Sequence, residues 1–162
     1  LKISWVMLLV TSTVDAVERH VRDADLVIDS VLVPGAAAPK VVTEEMIKSM
    51  RPGSIVVDIA IDQGGCFETS RPTNHAYPVY TEHGVIHYCV TNMPGAVAQT
   101  STFALNNATM PFTPKLANMA WREALQSDPG FLEGLNVHAG KVTYQAVADA
   151  VGMDYTPVSE AL

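Results

Sequence analysis

Three apolar, β-prone runs constrain this chain more than any other feature, and each ends in a loop that contains glycine. They are DLVIDSVLV (residues 25–33), VDIAID (57–62) and GVIHYCVTN (84–92). A strand with one wet face alternates apolar and polar residues. An unbroken run fits a strand covered on both faces, as in a parallel sheet. Parallel neighbours need a crossover, and TEEMIKSMRPG (43–53) supplies one. Thr43 caps the helix start, Glu44 and Glu45 oppose the positive end of its dipole, and Met46, Ile47 and Met50 make the buried stripe. Lys48 and Arg51 sit near its end, and Pro52-Gly53 stops it. Upstream, VDAVERHV (14–21) spaces Val14, Val17 and Val21 at helical intervals. The expected class is α/β: a parallel sheet with crossover helices on both faces.

After Asn92 the pattern turns helical. TSTFALNNATMPF reads as one helix, TPKLANMAWREALQSD as a second with Thr113 as cap and Pro114 at its first position, and TYQAVADAVG as a third, capped by Thr143 and ended by Gly152. The expected division is residues 1–98, α/β, and 99–162, a helical segment. A polar loop rich in turn residues, which holds His75 and His83, precedes the run that starts at Gly84. The opening LKISWVMLLV is too short for a membrane helix and has no cleavage site, so it reads as a buried strand or a frayed end. The lack of an initiating Met is taken as the mark of a fragment.

A net charge of −7 and the absence of any basic run argue against a nucleic-acid partner. The two cysteines, Cys66 and Cys89, fit no metal-ligand spacing, and the five histidines do not cluster with them. Free thiols in a reducing cytosol are the expectation, and with them a cytoplasmic location.

Ligands of open α/β sheets sit at the carboxyl ends of the strands. VLVPGAAAP, DQGG and TNMPGAV are the loops there, and glycine lets a backbone be approached closely. Asp62 stands at the mouth of its strand beside Gly64 and Gly65. Two readings are open on these residues: a carboxylate that orients a substrate or takes a proton, or an Asx turn that caps the strand end. Asp58, inside the run, reads as a structural hydrogen-bonding group, His87 as a core histidine, His75 and His83 as solvated, Met93 and Met110 as core gap-fillers. Cys66 reads as reactive in position but without a nearby base, and Arg71 as suited to an anion.

The stretches DIAIDQGGCFE and NMPGAVAQTST, with PGAAAPK and EEMIKSMRPGS before them, closely resemble the bacterial alanine dehydrogenases. The resemblance runs from about Thr11 to near the C-terminus. It implies oxidation of L-alanine to pyruvate and ammonium with NAD, in a Rossmann-type half-domain. Val31 and Leu32 would lie along the cofactor. Ile59, Ala60, Ile61 and Asp62 would pass the ribose and nicotinamide, and Val90, Thr91, Asn92 and Met93 would close over the nicotinamide side. Arg71 would reach the cofactor, and Ser12 its adenosine end. Asp62 matches the family's catalytic aspartate. The helices after residue 98 would return to a substrate domain, and the intact enzyme would be a homo-oligomer, typically a hexamer, with no membrane partner.

Departures limit what this stretch does alone. No GxGxxG and no acidic ribose-binding residue beyond it are present, and none of the histidines takes the place of the family's catalytic histidine. The rival readings are a transhydrogenase α subunit, against which the Asp-Gln-Gly-Gly loop counts, and a binding or assembly module without chemistry of its own.

Overall fold

A computed structural model describes residues 9–162, so the reading of the first ten residues as strand or frayed end falls almost wholly outside them. The chain forms two compact units. Among the described residues, one takes residues 9–31 together with Ala38–Thr91, the other Leu32–Ala37 with Asn92–Leu162.

The first unit is built on β1 (Leu26–Asp29), β2 (Ile55–Asp58), β3 (Val79–Glu82) and β4 (Val85–Tyr88), in the order β1-β2-β4-β3. β1, β2 and β4 are parallel, so their carboxyl ends share one edge; β3 is antiparallel to β4. The helices α1 (Val14–Asp23) and α2 (Glu44–Ser49) are both capped by threonine, Thr13 accepting from the Ala16 amide and Thr43 from the Met46 amide. Val21, Met46, Ile47 and Met50 pack with Val42, Val56, Phe67 and Val85 into one core, with Val17 and Val27 against it. Full burial of such a side chain is worth about 1.5–3 kcal/mol.

Strand parity puts Val27, Val56, Val85 and His87 on the face covered by this core. The opposite face carries the rows Leu26–Ile55–Ile86 and Ile28–Val57–Tyr88. Leu26 is 53% and Ile28 59% exposed. The expectation of strands covered on both faces is therefore corrected: α1 and α2 cover one face only.

Two strand ends also move, and one further strand appears. β1 stops at Asp29, not Val33, because the Asp29 Oδ1 takes the Val31 amide at 3.0 Å and turns the chain. β2 stops at Asp58, and Ile59–Gln63 is a short 3-10 helix. The polar loop hides β3, joined to β4 through His83 and Gly84 at positive φ, a two-residue turn whose twist suits a hairpin.

The second unit holds a 3-10 helix (Met93–Val97) and α3 (Ala98–Thr109), then α4 (Thr113–Asn118), α5 (Trp121–Gln126) and α6 (Pro129–Leu132). A two-stranded hairpin of β5 (Val137–His138) and β6 (Lys141–Val142) follows, then α7 (Gln145–Val151) and α8 (Val158–Ala161). The single helix expected after Thr113 is broken where Met119 adopts an extended backbone. Thr113 lies inside α4, not at its cap. Thr143 does not cap α7 but is buried, donating to the Leu135 carbonyl. Gly152 ends α7 in the left-handed conformation as expected. Met110 is 49% exposed and fills no core gap. Among the described residues no helix is long and apolar enough to cross a membrane.

Candidate functional site

The carboxyl ends of the parallel strands converge on the turn that follows β2. Asp58, the last residue of β2, is wholly buried. Its Oδ2 accepts the amides of Cys66 at 2.8 Å and Phe67 at 3.4 Å, and the Ser70 hydroxyl. This is the local carboxylate-to-amide duty that an Asx turn would have given Asp62. Asp62 instead lies in the 3-10 helix, exposed, its carboxylate making no hydrogen bond or ion pair. Its side chain is available, and the capping reading does not describe it.

The two glycines have a different reason from the one read in the sequence. Gly64 and Gly65 adopt φ of +96° and +77°, which other residues enter at a cost. Their amides return to Ile61 and Ala60, at 3.1 and 3.0 Å. Their carbonyls accept from the Lys40 ammonium at 2.6 and 2.8 Å. The polar backbone groups of both glycines are thus bonded within the protein. They shape the turn, and Gly65 clears Asp58, rather than offering free amides to a ligand.

The other residues expected at a site divide by burial and by unit. Ala60, Ile61 and Val90 turn their side chains into the interior, at 7%, 4% and 1% exposure, so only their backbones could face a ligand. Val31 and Ile59 are exposed apolar side chains of the first unit, and Thr91 and Arg71 are exposed there too. Ser12 is exposed, just before the Thr13 cap of α1. Leu32, Asn92 and Met93 belong to the second unit. Leu32 is 65% exposed and Met93 half-buried, while Asn92 caps the Met93–Val97 helix by accepting the Gly95 amide at 3.2 Å. A groove of about 460 Å³ runs beside Asn92, lined by Pro94, Gly95, Ala98, Ser101 and Leu105 among others.

Arg71 is held by a stack that the sequence did not show. Its guanidinium lies 3.8 Å from the Tyr80 ring centroid, a cation–π contact. Tyr80 stacks on His87 at 4.9 Å, accepts the Arg71 amide at 2.9 Å and donates to the Thr69 carbonyl at 2.8 Å. Burial pushes the Tyr80 phenol up. His87 is wholly buried; its Nδ1 reaches the Val85 carbonyl and must donate, so its Nε2 accepts from Thr69 Oγ1 at 2.8 Å. Burial also lowers the His87 pKa, which keeps the ring neutral. His87 is the satisfied core histidine expected of it.

Two side chains depart from expectation. His83 is not solvated alone but meets Glu44 Oε1 at 2.8 Å. Cys66 is wholly buried and its thiol is pushed up to about 12, first by burial and then by Asp29, so it is no nucleophile.

Lys40 was missed altogether. It lies in the loop before α2, 24 to 27 positions from the carbonyls it binds. No local pattern could have announced it.

A family profile described as "Alanine dehydrogenase/PNT, C-terminal domain" matches residues 4–145. An alanine dehydrogenase of Halomonas elongata is 59% identical over 156 residues, which is 96% of this chain and 42% of that protein. One from Methanococcus maripaludis is 54% identical over 147 residues, 90% of this chain and 39% of that protein. This chain therefore spans about two fifths of the length of the curated relatives it matches. Among solved structures, an L-alanine dehydrogenase superposes with a TM-score of 0.73 at 48% identity, covering 87% of this chain and 39% of the other. A transhydrogenase from Sinorhizobium meliloti superposes with a TM-score of 0.51 at 36% identity, covering 56% of this chain and 25% of the other.

Proposed function

This chain belongs to the family of alanine dehydrogenase/PNT C-terminal domains, and from that premise we propose that its residues serve an NAD-dependent L-alanine dehydrogenase. The reaction is the reversible oxidative deamination of L-alanine to pyruvate and ammonium. The observation that carries the reading is Asp62: an exposed, unbonded carboxylate on a backbone fixed from both sides, at the edge where ligands of parallel sheets bind. The longer match to alanine dehydrogenases favours this over a transhydrogenase subunit.

The residues suit a nicotinamide nucleotide. Val31 and Ile59 offer exposed apolar surface beside the strand ends, Thr91 a hydroxyl, and Arg71 a guanidinium kept in place by Tyr80. They would hold the cofactor, with Ser12 toward its adenosine end, and the resemblance gives Leu32, Asn92 and Met93 of the second unit a cofactor-binding role as well. NAD, when bound, supplies the hydride acceptor. Asp62 would orient the polar substrate and balance or take up the proton and positive charge that arise when the C–H bond of alanine is oxidised. Residues 1–98 would form half of a cofactor domain and 99–162 the segment returning toward a substrate domain, in a cytoplasmic homo-oligomer, a hexamer. These 162 residues alone would neither turn over alanine nor bind NAD tightly, since they carry no glycine-rich pyrophosphate turn.

The test is a hybrid enzyme in which this chain replaces the matching segment of the Halomonas elongata alanine dehydrogenase. Alanine-dependent reduction of NAD is expected, with Asp62→Asn lowering kcat at least tenfold while NAD affinity is kept. A folded Asp62→Asn hybrid with undiminished turnover refutes the reading.

A further inference from the structure

We infer that Lys40 and Asp58 are positioning residues, which clamp the turn after Asp62 from opposite sides and so fix where that carboxylate stands; the inference rests on the catalytic reading of Asp62. The clamp is visible as a complete account of the turn's backbone. The Gln63 carbonyl accepts the Ala38 amide at 2.8 Å, and the Cys66 carbonyl accepts Val41 at 2.8 Å and Val42 at 3.2 Å. The Gly64, Gly65 and Phe67 carbonyls converge on the Lys40 ammonium at 2.6, 2.8 and 3.1 Å. All five carbonyls from Gln63 to Phe67 are thus taken by residues 38–42. On the amide side, Gly64 and Gly65 return to the 3-10 helix, Asp58 takes Cys66 and Phe67, and Glu68 donates to the Val42 carbonyl at 3.0 Å.

An ammonium has three protons and no acceptor, and here all three are used on carbonyls. Hydrogen bonds to an ionised group are roughly twice as strong as neutral ones. Lys40 therefore gathers three carbonyls that would otherwise repel one another, while Asp58 gathers amides on the other side of the same chain. Ala38, Ala60 and Cys66 pack as a small apolar cluster with Val41 under the turn. Asp62, one residue ahead of this fastened stretch, has no side-chain bond of its own. Its backbone is placed by the 3-10 helix and by the turn that Lys40 and Asp58 hold. That is the arrangement an unreorganising catalytic carboxylate needs, because displacement of about 1 Å costs up to roughly a hundredfold in rate.

Two measurements test this. Hydrogen exchange on the 162-residue chain should show the amides of Gly64 to Glu68 exchanging at least tenfold faster in Lys40→Met. Those of Val56 in β2 and Ile47 in α2 should be unchanged, and Lys40→Arg should restore part of the protection. In the hybrid enzyme, Lys40→Met and Asp58→Asn should each lower kcat roughly ten- to a hundredfold, with little change in KM for alanine or NAD. Because they act through Asp62, combining Lys40→Met with Asp62→Asn should cost no more than Asp62→Asn alone. A merely structural role would lower Tm and leave kcat at saturation intact. Unchanged exchange at Gly64 to Glu68, or multiplicative losses in the double variant, overturns the inference. Full activity in Asp62→Asn instead sinks the functional reading, and the two failures are told apart because faster exchange in Lys40→Met does not depend on Asp62.

Discussion

Replacing each of the adjacent glycines of the turn by alanine separates two physical costs that usually arrive together. Gly64 sits at φ +96° with nothing within 4 Å of where a Cβ would stand. Gly65 sits at φ +77°, and a Cβ there would meet Asp58 Oδ2 at 2.6 Å, Ser70 Cβ at 2.9 Å and Ile61 Cδ1 at 3.2 Å. Left-handed backbone costs an L-residue about 1–2 kcal/mol, and Gly64→Ala incurs that alone. Gly65→Ala adds overpacking of about 1–3 kcal/mol. It also displaces the one carboxylate oxygen that holds Cys66, Phe67 and Ser70, and a weakened bond to a charged acceptor costs up to about 1.5–3 kcal/mol. The expected losses are about 1–2 kcal/mol for Gly64→Ala and about 3–5 kcal/mol for Gly65→Ala. The second approaches the whole stability of a small domain. Urea unfolding of the 162-residue chain, followed by far-ultraviolet circular dichroism with the midpoints compared at a common m-value, measures both. Equal losses at the two positions would refute the view that Gly65 exists to make room for Asp58.

Ala139, at φ +49° ahead of Gly140 in the β5–β6 turn, carries the same left-handed strain; Ala139→Gly should raise stability by up to about 1 kcal/mol in the same urea assay, and a loss would contradict it. The Lys48 ammonium, and after it the His83 ring, holds the Glu44 carboxyl below the usual carboxylate range. A depressed carboxylate stabilises the fold above its unfolded pKa and loses that effect as pH falls through the folded one, so the Tm gap between the parent and Glu44→Gln should be present at neutral pH and close on acidification through the carboxylate range. A gap that persists at pH 2 would count against the assignment. Burial pushes both thiols up, Cys66 to about 12. Alkylation at pH 8 should therefore be slow at Cys66 and Cys89 until the chain is unfolded, and rapid labelling of the native protein would contradict their burial.

The sequence revealed those parts of the fold whose signals are local. α2 announced itself by Thr43, its acidic first turn and Pro52-Gly53, and β1, β2 and β4 by their apolar runs. Apolarity alone could not say where a strand ends. Ser30 to Val33 are as β-prone as what precedes them, and it is the side chain of Asp29 folding back on Val31 that ends β1. The β3–β4 hairpin escaped notice because its turn uses His83-Gly84, where Asn-Gly or Asp-Gly is the recognisable pair. The helix expected across Thr113 to Asp128 carries a good pattern throughout, and nothing local marks the extended Met119. At the candidate site, Asp62 stood out because a charge at the end of a covered run is conspicuous. Lys40 and the Arg71–Tyr80–His87 stack did not, since their partners are brought near only by the crossover and the hairpin.

The outer face of the four-stranded sheet sets how this polypeptide behaves in solution. Leu26, Ile28, Ile55 and Val79 each leave more than a third of their surface wet, three of them on the edge strands β1 and β3. Such a surface sticks to its like, because hydrophobic attraction is non-directional. The physical state of the purified polypeptide will therefore track its concentration, and its measured melting point will drift with dilution. A single charge planted in the middle of those rows, at Ile28, would do more for solubility than any change to the buried core.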